Sequence, residues 1–79
     1  MMYVAVRYYK PQLSGYAGMP YTYRTGLPLK AGDKVIAPTN GGDNRAIVLE
    51  VNVPEGRIDE RILPLLREIT QYDTEEVQA

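Results

Sequence analysis

Seventy-nine residues, 44% hydrophobic and 24% charged, with a formal net charge of −1, make one folded domain and leave no room for a second. With no cysteine and no histidine, the chain excludes disulfides, Cys/His zinc sites, His- or Cys-ligated haem and every nucleophile–histidine triad. The small net charge hides a split: residues 1–49 carry six Lys and Arg against Asp33 and Asp43, while residues 50–79 carry three Arg against eight carboxylates. A basic half can form a phosphate-facing surface, or the two halves can intermix on so small a globule and cancel.

In chain order, residues 2–9 alternate, with Met2, Val4, Val6 and Tyr8 on one face and Tyr3, Ala5, Arg7 and Tyr9 on the other. This pattern predicts a first strand with one strongly apolar side. Residues 10–20 contain Pro11, Gly15, Gly18 and Pro20, which predict a long loop. Residues 21–25 alternate aromatic and polar and form a short second strand. Ala31-Gly32-Asp33 is a turn in which Gly32 supplies positive φ. Residues 34–39 are a third strand with Pro38 at its end or on an edge. Residues 40–44, Asn-Gly-Gly-Asp-Asn, close a hairpin onto a fourth strand, residues 45–53, whose core side is assigned to Ile47, Leu49, Val51 and Val53. Ile58 and Ile62 are one helical turn apart ahead of Pro64, which predicts a short helix or 3₁₀ turn. Residues 65–72 suit either a helix begun by Pro64 or a closing strand, and the strand is favoured. Residues 73–79 have little to bury and are expected to be a flexible tail.

Four or five short strands, a tight Gly-Asp turn and a one-turn helix before the last strand predict a mainly β fold over residues 1–72, a small SH3-like barrel. Val4, Val6, Tyr23, Val35, Ile47, Leu49 and Val51 are its expected interior. The apolar run of residues 1–6 is much too short for a signal sequence, and Arg7 and Lys10 follow it rather than precede it, so a soluble cytoplasmic protein with no membrane span is expected.

Three segments carry a resemblance: Tyr21-Thr22-Tyr23, then residues 29–38 (Leu-Lys-Ala-Gly-Asp-Lys-Val-Ile-Ala-Pro), then residues 47–51 (Ile-Val-Leu-Glu-Val). Together with residues 62–68 around Pro64, they resemble the N-terminal DNA-binding domain of the primosomal replication-restart helicase family. The likeness runs in order through about residues 2–72 and implies the barrel fold and DNA binding. It also implies a pocket for the 3′ end of a strand, which in that family uses an acidic residue between the two aromatics. Thr22 stands at that position here, so no sharp preference for a free 3′ end is expected. The family's helicase, winged-helix and zinc-binding parts have no counterpart in these 79 residues.

Six of the seven tyrosines lie within the first 23 residues, interleaved with Arg7, Lys10 and Arg24. Aromatic rings beside cations hold single strands by stacking bases and neutralising phosphates. With no Phe or Trp, tyrosine must also serve as the core aromatic, and Tyr8, Tyr21 and Tyr23 are assigned to the core on that ground. Tyr9 and Tyr16 are the expected stacking surfaces; Arg7, Lys10, Arg24, Lys34 and Arg45 are the expected phosphate contacts. Residues 41–45 could form an anion nest, although hairpin closure alone accounts for them. Asp59-Glu60 and Glu75-Glu76 have no metal spacing, and Ser14 has no partner base. The expectation is a non-enzymatic module with no cofactor and no metal, binding nucleic acid or, alternatively, acting as a protein-interaction adaptor through an aromatic groove.

Overall fold

Strand β1 (Met2–Lys10) realises the first alternation as read: Val4 and Val6 are fully buried, Met2 and Tyr8 pack against the core, and Arg7 points to solvent. The computed structural model describes residues 1–74. β1 turns through a 3₁₀ segment, Pro11–Leu13, and Ser14 at φ 51° into β2 (Gly15–Thr25), closing on the pair Lys10↔Gly15. The expected loop over residues 10–20 is therefore mostly strand. Tyr9 pairs with Tyr16 and Tyr8 with Ala17, then the register jumps to Val6↔Tyr21, so residues 18–20 form an irregularity in the ladder. Gly18 at φ +93° and Pro20, which has no N–H to donate, are accommodated there, which is why breakers that suggest a loop sit inside a strand.

The turn over residues 30–33 is as expected. Asp33 N–H donates to Lys30 O at 3.0 Å, Gly32 takes φ +96°, and the Asp33 carboxylate accepts Lys30 N–H at 2.8 Å. The turn also latches onto the sheet, with Gly32 N–H donating to Val48 O and Val48 N–H to Asp33 O. β3 (Lys34–Thr39) and β4 (Gly42–Glu50) follow as an antiparallel hairpin paired from Thr39↔Gly42 to Lys34↔Ile47.

β4 overturns one expectation. Its inward residues are Ala46 and Val48, both essentially inaccessible, while Ile47 is half-buried and Leu49 is exposed. Register decides this against side-chain size. Across the core face the row Ala17, Tyr8, Ala46, Val35 runs over four strands, so the large Tyr8 ring sits between two alanines where Ile or Leu would overfill the space. Val6 faces Val48 and Ala5 faces Glu50, so Leu49 is the extra residue of a β-bulge. Beyond it Asn52 at φ 53° turns the chain, Val51 packs partly against the core, and Val53 is buried as its N–H bonds Tyr3 O at 2.9 Å.

The expected helical turn is divided into two 3₁₀ segments, Glu55–Arg57 and Leu63–Leu65. Ile58 is buried between them and Ile62 is exposed, so the pair does not share one apolar helix face. The final segment is strand, in two pieces, β5 (Glu68–Ile69) and β6 (Gln71–Tyr72). The sheet order is β5-β2-β1-β4-β3-β6. β5 runs parallel to β2 at one edge and β6 antiparallel to β3 at the other, with only Thr70 between them in sequence. The fold is mainly β, but the hydrogen-bond ladder stays open at Thr70; the chain itself crosses the gap that a closed barrel would bridge by pairing.

Ile69, fully buried, anchors this crossing to the cluster of Val4, Val6, Tyr23, Leu29, Val35, Ala37, Ala46 and Val48. Buried Thr25 fastens it further: its hydroxyl donates to Ile69 O at 2.8 Å and accepts Leu27 N–H at 3.0 Å, leaving no polar atom of that side chain unmet. The expected tail boundary at residue 73 moves outward. Asp73 is buried, receives Arg45 Nε at 2.6 Å and donates its N–H to Lys34 O at 3.0 Å. Residues 75–79, the rest of the expected tail, lie outside the described residues. No helix among the described residues is long and apolar enough to cross a membrane.

Candidate functional site

Two surfaces gather tyrosines and cations, and they use them differently. The first is a cleft of about 160 Å³ lined by Tyr8, Tyr21, Thr22, Tyr23, Leu65, Leu66 and Arg67. β1 and β2 set its aromatic wall, and the backbone bond from Arg24 N–H to Arg67 O at 3.1 Å holds the 63–67 segment opposite. The Tyr8 and Tyr21 rings stack with centroids 4.7 Å apart and planes inclined by 16°. Tyr21, expected in the core, is 49% exposed instead, because Tyr8 and Tyr23 already fill the interior at this end of the sheet. Leu65 is 74% exposed across the cleft.

Polar groups lie in and around the same space. Tyr23 Oη donates to Pro38 O at 2.8 Å and lies 2.6 Å from Tyr8 Oη. Burial, then the Tyr8 hydrogen bond, push the Tyr23 phenol well above its ordinary range, and the nearby Arg67 charge only partly opposes this. The Arg67 guanidinium bonds the neutral side-chain oxygen of Asn40 rather than a carboxylate. Lys10 Nζ lies 5.9 Å from the Tyr8 ring centroid, within cation–π range.

The second surface is the outward face of the sheet. Strand register puts six of the seven expected contact residues there: Tyr9 opposite Tyr16, Arg24 opposite Tyr3, Arg7 opposite Ile47, Ile47 opposite Lys34, and Arg45 beside Tyr9. Lys10, the seventh, belongs to the Tyr8 side. Tyr9 and Tyr16 meet edge to face at 5.3 Å, and the Arg45 guanidinium lies 5.1 Å from the Tyr9 ring centroid. Much of this charge is met internally. Arg45 is paired with buried Asp73, a hydrogen bond that raises its pKa, and Arg24 Nε is buried 4.0 Å from Glu68. Both pairs join the basic half of the sequence to the acidic half, so the halves intermix here. Arg57 and Arg61 are likewise taken: Arg57 holds the Glu50 carboxyl, and Arg61 the Asp59 carboxyl, below the usual carboxylate range by hydrogen bonding. A second, polar cleft of about 270 Å³ flanks the Arg45–Asp73 pair and reaches Asp43 and Tyr72. Among the described residues no three carboxylates gather as a cation site would require.

Sequence reading singled out neither Arg67 nor the Tyr8–Tyr21 stack as a contact. One signal for them was available. Tyr21-Thr22-Tyr23 and Leu65-Leu66-Arg67, which belong to two separate segments of the family resemblance, line the same cleft. No family model, curated protein or solved structure matches the chain.

Proposed function

We propose that this domain is a non-enzymatic, cytoplasmic binding module for single-stranded or end-containing nucleic acid, and that the tyrosine cleft receives its bases. The observation that carries the reading is the Tyr8–Tyr21 stack, whose outer ring is half exposed beside an arginine bound to no carboxylate among the described residues. An exposed ring on a rigid aromatic partner offers any base a stacking surface, and Arg67 offers a phosphate a charge. The position of Tyr21-Thr22-Tyr23 in this cleft fits the resemblance to the replication-restart family. Thr22 cannot supply the acidic contact to a terminal hydroxyl, so binding without a sharp free-3′-end preference follows. A second reading has its own observation: Leu65, 74% exposed against three tyrosines, would suit an apolar peptide side chain in an adaptor groove.

Titration with short single-stranded DNA over a salt series separates the two. Nucleic-acid binding weakens steeply as salt rises, and Arg67→Ala reduces the salt slope by about 0.7 for one lost phosphate contact. No binding at millimolar protein, or binding unchanged at tenfold higher salt, assigns the cleft to a peptide.

A further inference from the structure

The hydroxyls of Tyr8 and Tyr23 form a chain whose direction is fixed by its far end. Pro38 O can only accept, and Tyr23 Oη lies 2.8 Å from it, so the single Tyr23 hydrogen is spent there. The alternative, with that hydrogen turned toward Tyr8, would leave two oxygen lone pairs facing each other at 2.8 Å without a proton between them, next to a tyrosine that is 4% exposed. Tyr23 Oη must therefore accept from Tyr8 Oη across 2.6 Å. Each phenol has one hydrogen, so the Tyr8 hydroxyl has none left.

We infer that Tyr8 meets a ligand in the cleft only as a hydrogen-bond acceptor, and that the cleft selects a planar base whose edge donates an N–H. This rests on the reading of the cleft as a base-binding site and adds a specificity determinant to it. The opposite polarity is supplied by Arg67, which can only donate. The favoured occupant is an aromatic base that donates to Tyr8 while its phosphate or a carbonyl accepts from Arg67. Tyr23 acts as a positioning residue: it acts on the ligand's donor group only through Tyr8.

The test compares a short oligodeoxyadenylate with the same strand built on purine, which lacks the 6-amino donor and is no larger. Wild-type protein is expected to bind the adenine strand about fivefold to tenfold more tightly. Tyr8→Phe abolishes the preference, and Tyr23→Phe, which returns a free hydrogen to Tyr8, narrows it by improving the purine strand. Equal binding of the two strands to wild type, or a preference that survives Tyr8→Phe, overturns the inference while leaving nucleic-acid binding intact. If neither strand binds, the nucleic-acid reading falls, and polarity is decided by NMR titration with aniline, a donor, and benzonitrile, an acceptor only. Aniline is expected to shift the Tyr8 and Tyr21 ring resonances at lower concentration. Benzonitrile acting equally or better, or neither fragment shifting them, overturns the inference.

Discussion

The cleft and the outward sheet face contain the same kinds of residue, tyrosines beside arginines and lysine, and differ in what those residues have left to offer. On the outward face Tyr9 packs edge to face with Tyr16 under Arg45, and Arg45 itself is committed to buried Asp73. In the cleft the stack ends on an exposed ring, and among the described residues the Arg67 guanidinium bonds a neutral amide and no carboxylate. Basic and aromatic residues clustered in sequence thus become a structural mortar on one side and an open platform on the other. The deciding quantity is whether a carboxylate from the acidic half arrives to claim the cation.

The largest expected effect breaks the cleft at its support. Ile69→Ala removes a fully buried side chain from the crossing between β2 and β3 and should cost about 2–5 kcal/mol in urea unfolding. The loss should appear first as faster amide exchange in residues 63–69 and not in the β3–β4 hairpin.

Tyr21→Ala is next: it should weaken single-strand binding by about 1–3 kcal/mol with the salt slope unchanged. Tyr9→Ala, by contrast, should leave affinity within about twofold, because its ring is packed edge to face with Tyr16 and carries Arg45 over one face. Equal losses for the two variants would erase the distinction between the surfaces.

The arginines sharpen it. Arg67→Ala should flatten the salt dependence of binding, whereas Arg45→Ala should leave it alone and lower the thermal midpoint by removing a guanidinium from the Asp73 carboxylate, whose side chain is 1% exposed.

The smallest effect is alkaline. Tyr23 is held neutral in the fold, so its pKa lies above the unfolded value of about 10. The unfolded chain therefore loses that proton first. The associated stability is complete below about pH 10 and is lost as pH rises from there toward the folded pKa. Chemical denaturation between pH 8 and 11 should show this decline, and Tyr23→Phe should reduce it.

How much of this could be read beforehand depended on whether local pattern or register held the information. β1, the Gly32 turn, the Asn40-Gly41 reversal and the burial of Val4, Val6, Tyr23 and Val35 follow from alternation and turn chemistry, and were legible. β4 was ambiguous because both faces are apolar. The larger Ile47 and Leu49 look like core, yet only Ala46 fits opposite Tyr8, a fact about the neighbouring strands. β2 was misread at its start because Gly18 and Pro20 mark loops in sequence and sit in a register irregularity in space. At the sites, the cations were identified as residues, but their pairing with Asp73 and Glu68 is long-range. The cleft needed residues 21–23 and 65–67 brought together across β2 and β5, which no local pattern encodes.

The most direct test of the central claim is NMR mapping of a short single-stranded oligonucleotide titrated into the intact chain at low salt, read at both surfaces in one sample. Saturating shifts are expected at Tyr8, Tyr21, Thr22 and Arg67, with Tyr9, Tyr16 and Arg45 nearly still. Shifts concentrated at Tyr9, Tyr16 and Arg45, with the cleft resonances unmoved, would contradict it.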